Sequence, residues 1–329
     1  MRQRIERLSF GLAVLVAVFA SQALAQKPVK ISGVSTKLAP ALATDGNYMY
    51  IAWVDSATSD IYYASENSGF TDAQTVGGTR SDGTTWTAES SATPAWGYDG
   101  VSFYLIWKGK SDNNIWFSTM SDGGWTLQAL VQGTDPSWTA ETKVAPAATF
   151  DSWPLTLYWK GASDDDVWTS SLNDIQPGWL TQSKTGLKTN VAPCVGSDPN
   201  GSEGSPIVIK DASNNYIYAS GSQISGTDWV AETTESPAAS VDGDGNTVVF
   251  WKGQSSTSIW YSYRTGSQWT KQATVSGAET DLAPTVAIAN GPSISVALVA
   301  WKNASNDTIW YNVGSSFPEL VHAMQVSNP

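Results

Sequence analysis

The chain is 329 residues long, with 18 Lys and Arg against 30 Asp and Glu, a formal charge of −12. Residues 1–25 read as a leader, and without Arg2, Arg4, Arg7 and Glu6 the remainder holds 15 basic against 29 acidic residues, about −14. Such a chain is repelled by phosphate backbones and anionic lipid, so nucleic acid is not an expected partner. Seventeen Trp, 28 Gly and 15 Pro beside only 15% charged residues exclude a helical bundle and point to strands joined by turns.

The leader has basic Arg2, Arg4 and Arg7, an apolar run from Phe10 to Ala20, and small residues at Ala23-Leu24-Ala25 before Gln26. These are the parts of a cleavable secretory signal, which predicts a secreted or periplasmic protein with one mature domain over 26–329. The apolar run is too short to span a bilayer, and no later segment reaches the ~20 apolar residues a helix needs, so no membrane insertion is expected. Cys194 is the only thiol and His322 the only imidazole. A disulfide framework, a zinc cluster and a Ser/His/Asp triad spread through the fold are all disfavoured, and neither a metal nor a cofactor is expected.

A ten-residue block recurs six times without a gap: Trp53 to Tyr62, Trp107 to Trp116, Trp159 to Trp168, Ile209 to Tyr218, Trp251 to Trp260 and Trp301 to Trp310. Each reads as two strand ends around a polar turn. A proline stands upstream of each block, at Pro40, Pro94, Pro146, Pro193, Pro237 and Pro284, mostly followed by small residues. Each unit of about 50 residues therefore predicts a strand after the proline, a hairpin turn, a strand ending in the first Trp-Lys, a second turn, a strand such as Ile-Trp-Tyr-Ser, and a fourth strand such as Trp269 to Val275. Four antiparallel strands per unit is the content of a propeller blade, so the prediction is all-β: a six-bladed β-propeller of four-stranded antiparallel blades. The segments Ile31 to Pro40 and Val275 to Pro284 match position by position. The mature chain thus begins in an inter-blade segment, and closure joins it to the last blade, for which Met324 to Asn328 offers another outer strand.

Two further motifs read as turns. Asp242-Gly243-Asp244-Gly245-Asn246 has calcium-like spacing, but the twelfth loop position is Gly253 rather than an acid. Its counterparts Asp45-Gly46-Asn47 and Tyr98-Asp99-Gly100 place it at the first hairpin of a blade. Gly83-Thr84-Thr85-Trp86 has half of an Asp-box, with Asp82 one position out of place.

The Trp-Lys-Gly…Asp…Ile-Trp pattern resembles the secreted bacterial propellers that include fucose-type sugar lectins, within a wider group holding sialidase-like propellers. The resemblance runs from about Val29 to the end. It implies shallow, repeated sugar sites between or near adjacent blades, lined by aromatic, acidic and basic side chains, with glycans or glycoconjugates as partners.

Comparison among the six copies identifies candidate residues. Five positions before each proline stand Ser35, Glu89, Glu141, Lys188, Glu232 and Glu279. The four glutamates occur in units whose block has Lys second and Trp last: Glu89 with Lys108 and Trp116, Glu141 with Lys160 and Trp168, Glu232 with Lys252 and Trp260, Glu279 with Lys302 and Trp310. Three of them also follow a Trp by three residues: Trp86, Trp138 and Trp229. A carboxylate accepting sugar hydroxyls, a lysine donating to others and an indole packing on the apolar face of a pyranose form a minimal sugar pocket. The competing reading is that Trp and Ile fill the wedge between blades while Lys and Glu form surface ion pairs worth only ~0–1 kcal/mol.

A repeated sugar site predicts a multivalent, non-enzymatic lectin. The alternatives are a glycoside hydrolase with one axial carboxylate site and a protein-interaction scaffold. The arginine triad of the sialidase-like propellers has no match here, since Arg80 and Arg264 are the only arginines after the leader.

Overall fold

The computed structural model describes residues 27–121, 124–134, 137–150, 154–173, 178–196, 204–290 and 295–315. Residues 1–26, which include the expected leader, His322 and the stretch Met324 to Asn328 lie outside the described residues. Strands dominate, and the only helical element among the described residues is a single 3₁₀ turn at Glu66–Ser68. No helix among them is long and apolar enough to cross a membrane.

Six antiparallel sheets form the six blades of a β-propeller. Blade 1 orders Ala41–Thr44, Met49–Val54, Ile61–Ser65 and Gln74–Thr75 from axis to rim. Blade 3 orders Ala147–Thr149, Thr156–Lys160, Asp166–Ser171 and Ser183–Lys188. Blade 4 orders Cys194–Val195, Ile207–Lys210, Ile217–Ala219 and Ser222–Gln223. In blades 2 and 5 the expected fourth strand is broken in two. Blade 2 has Ala95–Tyr98, Phe103–Lys108 and Ile115–Ser121, then Gly124–Trp125 and Ala129–Leu130. Blade 5 has Ala238–Val241, Thr247–Lys252 and Ser258–Thr265, then Gln268–Trp269 and Ala273–Glu279. The interruption in blade 5 falls at Thr270, whose carbonyl accepts from the Ser262 hydroxyl at 2.7 Å and whose hydroxyl accepts from Tyr263 N at 3.2 Å. Thr126 makes the same contacts with Ser118 and Thr119 in blade 2.

Blade 6 consists of Thr285–Asn290, Ser295–Lys302 and Ile309–Ser315, and its outer strand is Val29–Lys30 from the other end of the chain. Val29 pairs with Tyr311 and Lys30 with Trp310, so the N-terminal segment closes the ring as its match to the fifth linker implied. A separate hairpin, Gly77–Thr79 with Thr85–Thr87, lies between blades 1 and 2.

Small residues after each proline let six inner strands meet around the axis. All six repeated prolines line one mouth of the central channel, a space of about 170 Å³ walled mainly by Ala and Pro. Each linker then turns from rim to axis on a buried hydroxyl: Thr36, Ser90, Thr142, Thr189, Thr233 and Thr280 are all 0–1% exposed. In four of them the hydroxyl donates to the carbonyl two residues on, as Ser90 does to Ala92 O at 2.7 Å.

The core is a set of apolar wedges between blades. Trp53, Trp107, Trp159, Trp251 and Trp301 are 1–3% exposed, and the block isoleucines Ile61, Ile115, Ile217, Ile259 and Ile309 are fully buried. Burying side chains of this size stabilises the fold by ~1.5–3 kcal/mol each.

Candidate functional site

The block's first and last aromatic residues are cross-strand partners, for example Trp107 with Trp116 and Trp251 with Trp260. Partners directly opposite project from the same sheet face. Both indoles of blade 2 accordingly pack on the core shared with blade 1, where Trp86 also sits. Trp138 and Trp168 pack on the core between blades 2 and 3, Trp229 and Trp260 on that between blades 4 and 5, and Trp310 on that between blades 5 and 6. Trp86 is buried, whereas Trp116, Trp138, Trp168, Trp229, Trp260 and Trp310 are half-buried.

The glutamates run along the same boundaries. Glu89 pairs with Asp60 of blade 1, Glu141 with Asn114 of blade 2, Glu232 with Tyr216 of blade 4 and Glu279 with Ser258 of blade 5. Glu141 O also accepts from Ala162 N of blade 3 at 3.1 Å, and Glu279 O from Ala304 N of blade 6 at 3.1 Å. Each glutamate thus stands at the boundary between two blades whose core includes its unit's last Trp and, in three cases, the linker Trp. The backbone sets each glutamate at the boundary on whose core those indoles pack.

The lysines turn to other partners. Lys108 is buried, and its ammonium donates to Ser91 Oγ at 2.7 Å, Gly109 O at 2.8 Å and Asp112 O at 2.7 Å. That burial lowers its pKa below the usual lysine value. Lys160 likewise donates to Gly161 O and to Asp164 O at 2.6 Å, and pairs with Asp165 at 3.1 Å. Lys252 reaches Gly253 O and Thr234 Oγ1, and Lys302 reaches Asn303 O and both oxygens of Asp281. Lys210 does the same with Asp211 O and Asn190 Oδ1 in blade 4, which has no glutamate. The lysine is a clasp: it caps the carbonyls of its own hairpin and in four blades holds the linker residue two places after the glutamate position. The contacts of Lys108, Lys160, Lys252 and Lys302 are with their own hairpins and linkers, and none of them supports the expected hydroxyl-donor role.

The last block position also packs against the third. A β-carbon on Gly109, Gly161 or Gly253 would stand 3.0, 2.9 or 2.7 Å from Nε1 of Trp116, Trp168 or Trp260. The blades with Tyr62 and Tyr218 carry Asp55 and Asp211 at that third position instead. In blade 6, Asn303 fills the place, and the Trp310 indole donates to Thr308 Oγ1 at 2.9 Å.

The four grooves are not equal. Glu89 is held by Lys110 at 2.7 Å, and Lys110 also donates to Thr58 O of blade 1 at 2.9 Å, a strap across the groove absent from the sequence reading. Glu141, Glu232 and Glu279 have no side-chain hydrogen bond or ion pair among the described residues; Glu141 and Glu279 are exposed and Glu232 half-buried. In blade 3 the Lys184 ammonium lies 4.9 Å from the centre of the Trp168 ring. Trp138 stacks nearly parallel to Trp159, at 6.4 Å and 10°.

The axis shows a different chemistry. Among the described residues no carboxylate lines its proline-side mouth. The opposite cavity, about 460 Å³, is lined by Asp45 and Asp99. Asp45 Oδ1 accepts from Asn47 N and Tyr48 N, both at 2.8 Å, and its Oδ2 from the Tyr50 hydroxyl. Asp99 does the same with Val101 N, Ser102 N and the Tyr104 hydroxyl, and the Tyr104 phenol is pushed up to about 12 by burial and by that hydrogen bond. Asp242 anchors its turn alike, accepting from Asp244 N and Asn246 N. These carboxylates are turn anchors, in keeping with the turn reading of their motifs.

No family model matches the chain, and no curated protein matches it in sequence. Among solved structures it is similar to a triple-arginine mutant of AofleA from Arthrobotrys oligospora, with 9% identity, a TM-score of 0.58, and coverage of 88% of this chain and 89% of that one. It is similar to the SapL1 lectin in complex with alpha methyl fucoside, with 12% identity, a TM-score of 0.56, and coverage of 87% and 97%. It is also similar to the Hadza microbial sialidase Hz136, with 9% identity and a TM-score of 0.55, covering 85% of this chain but 66% of that one. At these identities the likeness carries the fold.

Proposed function

We propose that this protein is a secreted, multivalent glycan-binding lectin whose sites are the inter-blade grooves, with no catalytic role. The supporting observation is that Glu141, Glu232 and Glu279, whose carboxylates have no partner among the described residues, stand at boundaries on whose cores half-buried indoles pack. Each glutamate can accept two sugar hydroxyls, and each indole can cover the apolar face of a pyranose. The lysines stiffen the hairpins behind them. Two of the similar folds belong to proteins whose names concern sugar binding or cleavage, SapL1 with its fucoside and the sialidase Hz136, which agrees with a sugar partner.

Sites that repeat around a ring favour surfaces dense in one sugar, where weak individual affinities combine into avidity. Glu89 is engaged by Lys110, so three open grooves are expected rather than four. A glycan array on the mature protein, followed by calorimetry with the best monosaccharide, tests this. The expected stoichiometry is near three, and no binding to any neutral or charged glycan would favour a protein-interaction scaffold.

A further inference from the structure

At the rim between blades 4 and 5 lies a cavity of about 490 Å³ that includes neither Glu232 nor Trp260. Its walls carry Trp229, Trp269, Arg264, Asp228, Lys271 and Gln223. Arg264 and Trp269 are cross-strand partners, which puts guanidinium and indole on one face of the sheet.

Blade 2 uses the corresponding positions for packing alone. There the pair is Met120 with Trp125, and Trp125 lies against Tyr63 and Trp96 at ring distances of 5.5 and 6.0 Å. Positions equivalent to Arg264 in the other blades hold Glu66, Leu172, Ser222 and Gly314. The arginine therefore breaks the repeat.

Its charge is also unanswered. Arg264 forms no ion pair among the described residues, and its Nε is buried without a hydrogen-bond partner. Asp228, the carboxylate in the wall, is bound to Lys271 at 3.0 Å. The lining thus carries one net positive charge in a chain whose formal charge is −12. A partly desolvated guanidinium without a counter-charge is costly to maintain, and a carboxylate ligand would relieve it through paired hydrogen bonds. Two half-buried indoles beside it suit the apolar face of a pyranose.

From this we infer a second class of site: the cavity binds a sugar carrying a carboxylate, such as a hexuronate unit of an acidic polysaccharide, with Arg264 on the carboxylate and Trp229 or Trp269 on the ring. The inference shares Trp229 with the Glu232 boundary and otherwise stands on residues outside the glutamate grooves. Its test is titration of the full mature chain with galacturonate and glucuronate oligomers, with the neutral galactose and glucose oligomers alongside, read by calorimetry and by tryptophan fluorescence. Expected are one uronate site per chain, weakening as salt rises, and at least a tenfold loss in both Arg264→Met and Trp269→Ala. Arg264→Met copies the residue blade 2 uses and is chosen to fold; Arg264→Lys, which keeps charge without the fork, should retain part of the affinity. Glu141→Gln should leave uronate binding unchanged while weakening any neutral-sugar binding, so the two proposals fail separately. Uronate and neutral oligomers bound alike, uronate binding untouched in Arg264→Met, or no uronate binding at millimolar concentration would each overturn the inference.

Discussion

The Trp260 indole lies over Gly253 with Nε1 where a β-carbon would come within 2.7 Å. Together with Ser256 Oγ at 2.5 Å, this contact leaves no room for a β-carbon at Gly253, and it makes a direct prediction. Gly253→Ala forces the Ser256 hydroxyl, the indole or the hairpin to move and should cost ~1–3 kcal/mol, the usual range for overpacking. The paired change Gly253→Ala with Trp260→Tyr should recover part of the loss, since the smaller ring occurs wherever that position carries Asp. Thermal melting of the three variants checks this, and additive losses would refute the coupling.

Lys108 and Lys110 sit two residues apart yet should behave oppositely. Replacing Lys108 by Met strands the carbonyls of Gly109 and Asp112 that its ammonium satisfies. The expected loss is ~1–3 kcal/mol, as for buried acceptors left unpaired. Lys110→Met removes only an exposed ion pair with Glu89, worth ~0–1 kcal/mol. That variant should instead free Glu89, and raise the monosaccharide stoichiometry by one. Equal melting shifts for the two variants would contradict the clasp.

Within the groove between blades 2 and 3, Glu141→Gln leaves a poorer acceptor opposite the sugar hydroxyls and should weaken that site by ~1–3 kcal/mol. Its melting temperature should barely move, because the Glu141 side chain is exposed and holds no partner among the described residues. Trp138→Ala should lower both binding and stability, since Trp138 also stacks on buried Trp159. A large melting loss with unchanged binding stoichiometry in Glu141→Gln would sink the groove as a site.

Asp166 accepts from both Lys184 and Lys188, and chiefly the Lys184 hydrogen bond lowers its pKa to about 2 from the ordinary 3.8. The folded value lies below the unfolded one, so the stabilisation is fully present above about pH 4 and is lost as pH falls toward 2. A carboxyl NMR titration should place the Asp166 midpoint near 2, and Lys184→Met should move it up. An unshifted midpoint in the unaltered protein would disprove the arrangement.

Much of the architecture is written in the chain because a propeller is assembled from local units. Six blocks and six prolines each specify a hairpin or a strand start, and the burial of Trp107, Trp159, Trp251 and Trp301 follows from a periodicity readable without coordinates. Even ring closure by Val29–Lys30 is visible as the likeness of Ile31 to Pro40 to the fifth linker. The broken fourth strands at Thr126 and Thr270 are not, because threonine at those positions looks like any strand residue until its hydroxyl competes with the ladder.

The candidate site divides along the same line. Covariation of glutamate with the last Trp links residues that stand at the same blade boundary, since neighbouring units share it. The direction a long side chain takes is settled by three-dimensional competition for its donors. Lys108 is captured by the carbonyls of its own hairpin, while Lys110 reaches Glu89 from two residues away. Sequence alone ranks these lysines by repetition and so favours the clasp over the strap. In the sequence Arg264 is only one of two arginines after residue 25, and its buried, unpartnered Nε beside Trp229 and Trp269 exists only where blades 4 and 5 meet. Local hydrogen bonding and apolar periodicity travel with the sequence; which charges are left without a counter-charge is a property of the assembled ring.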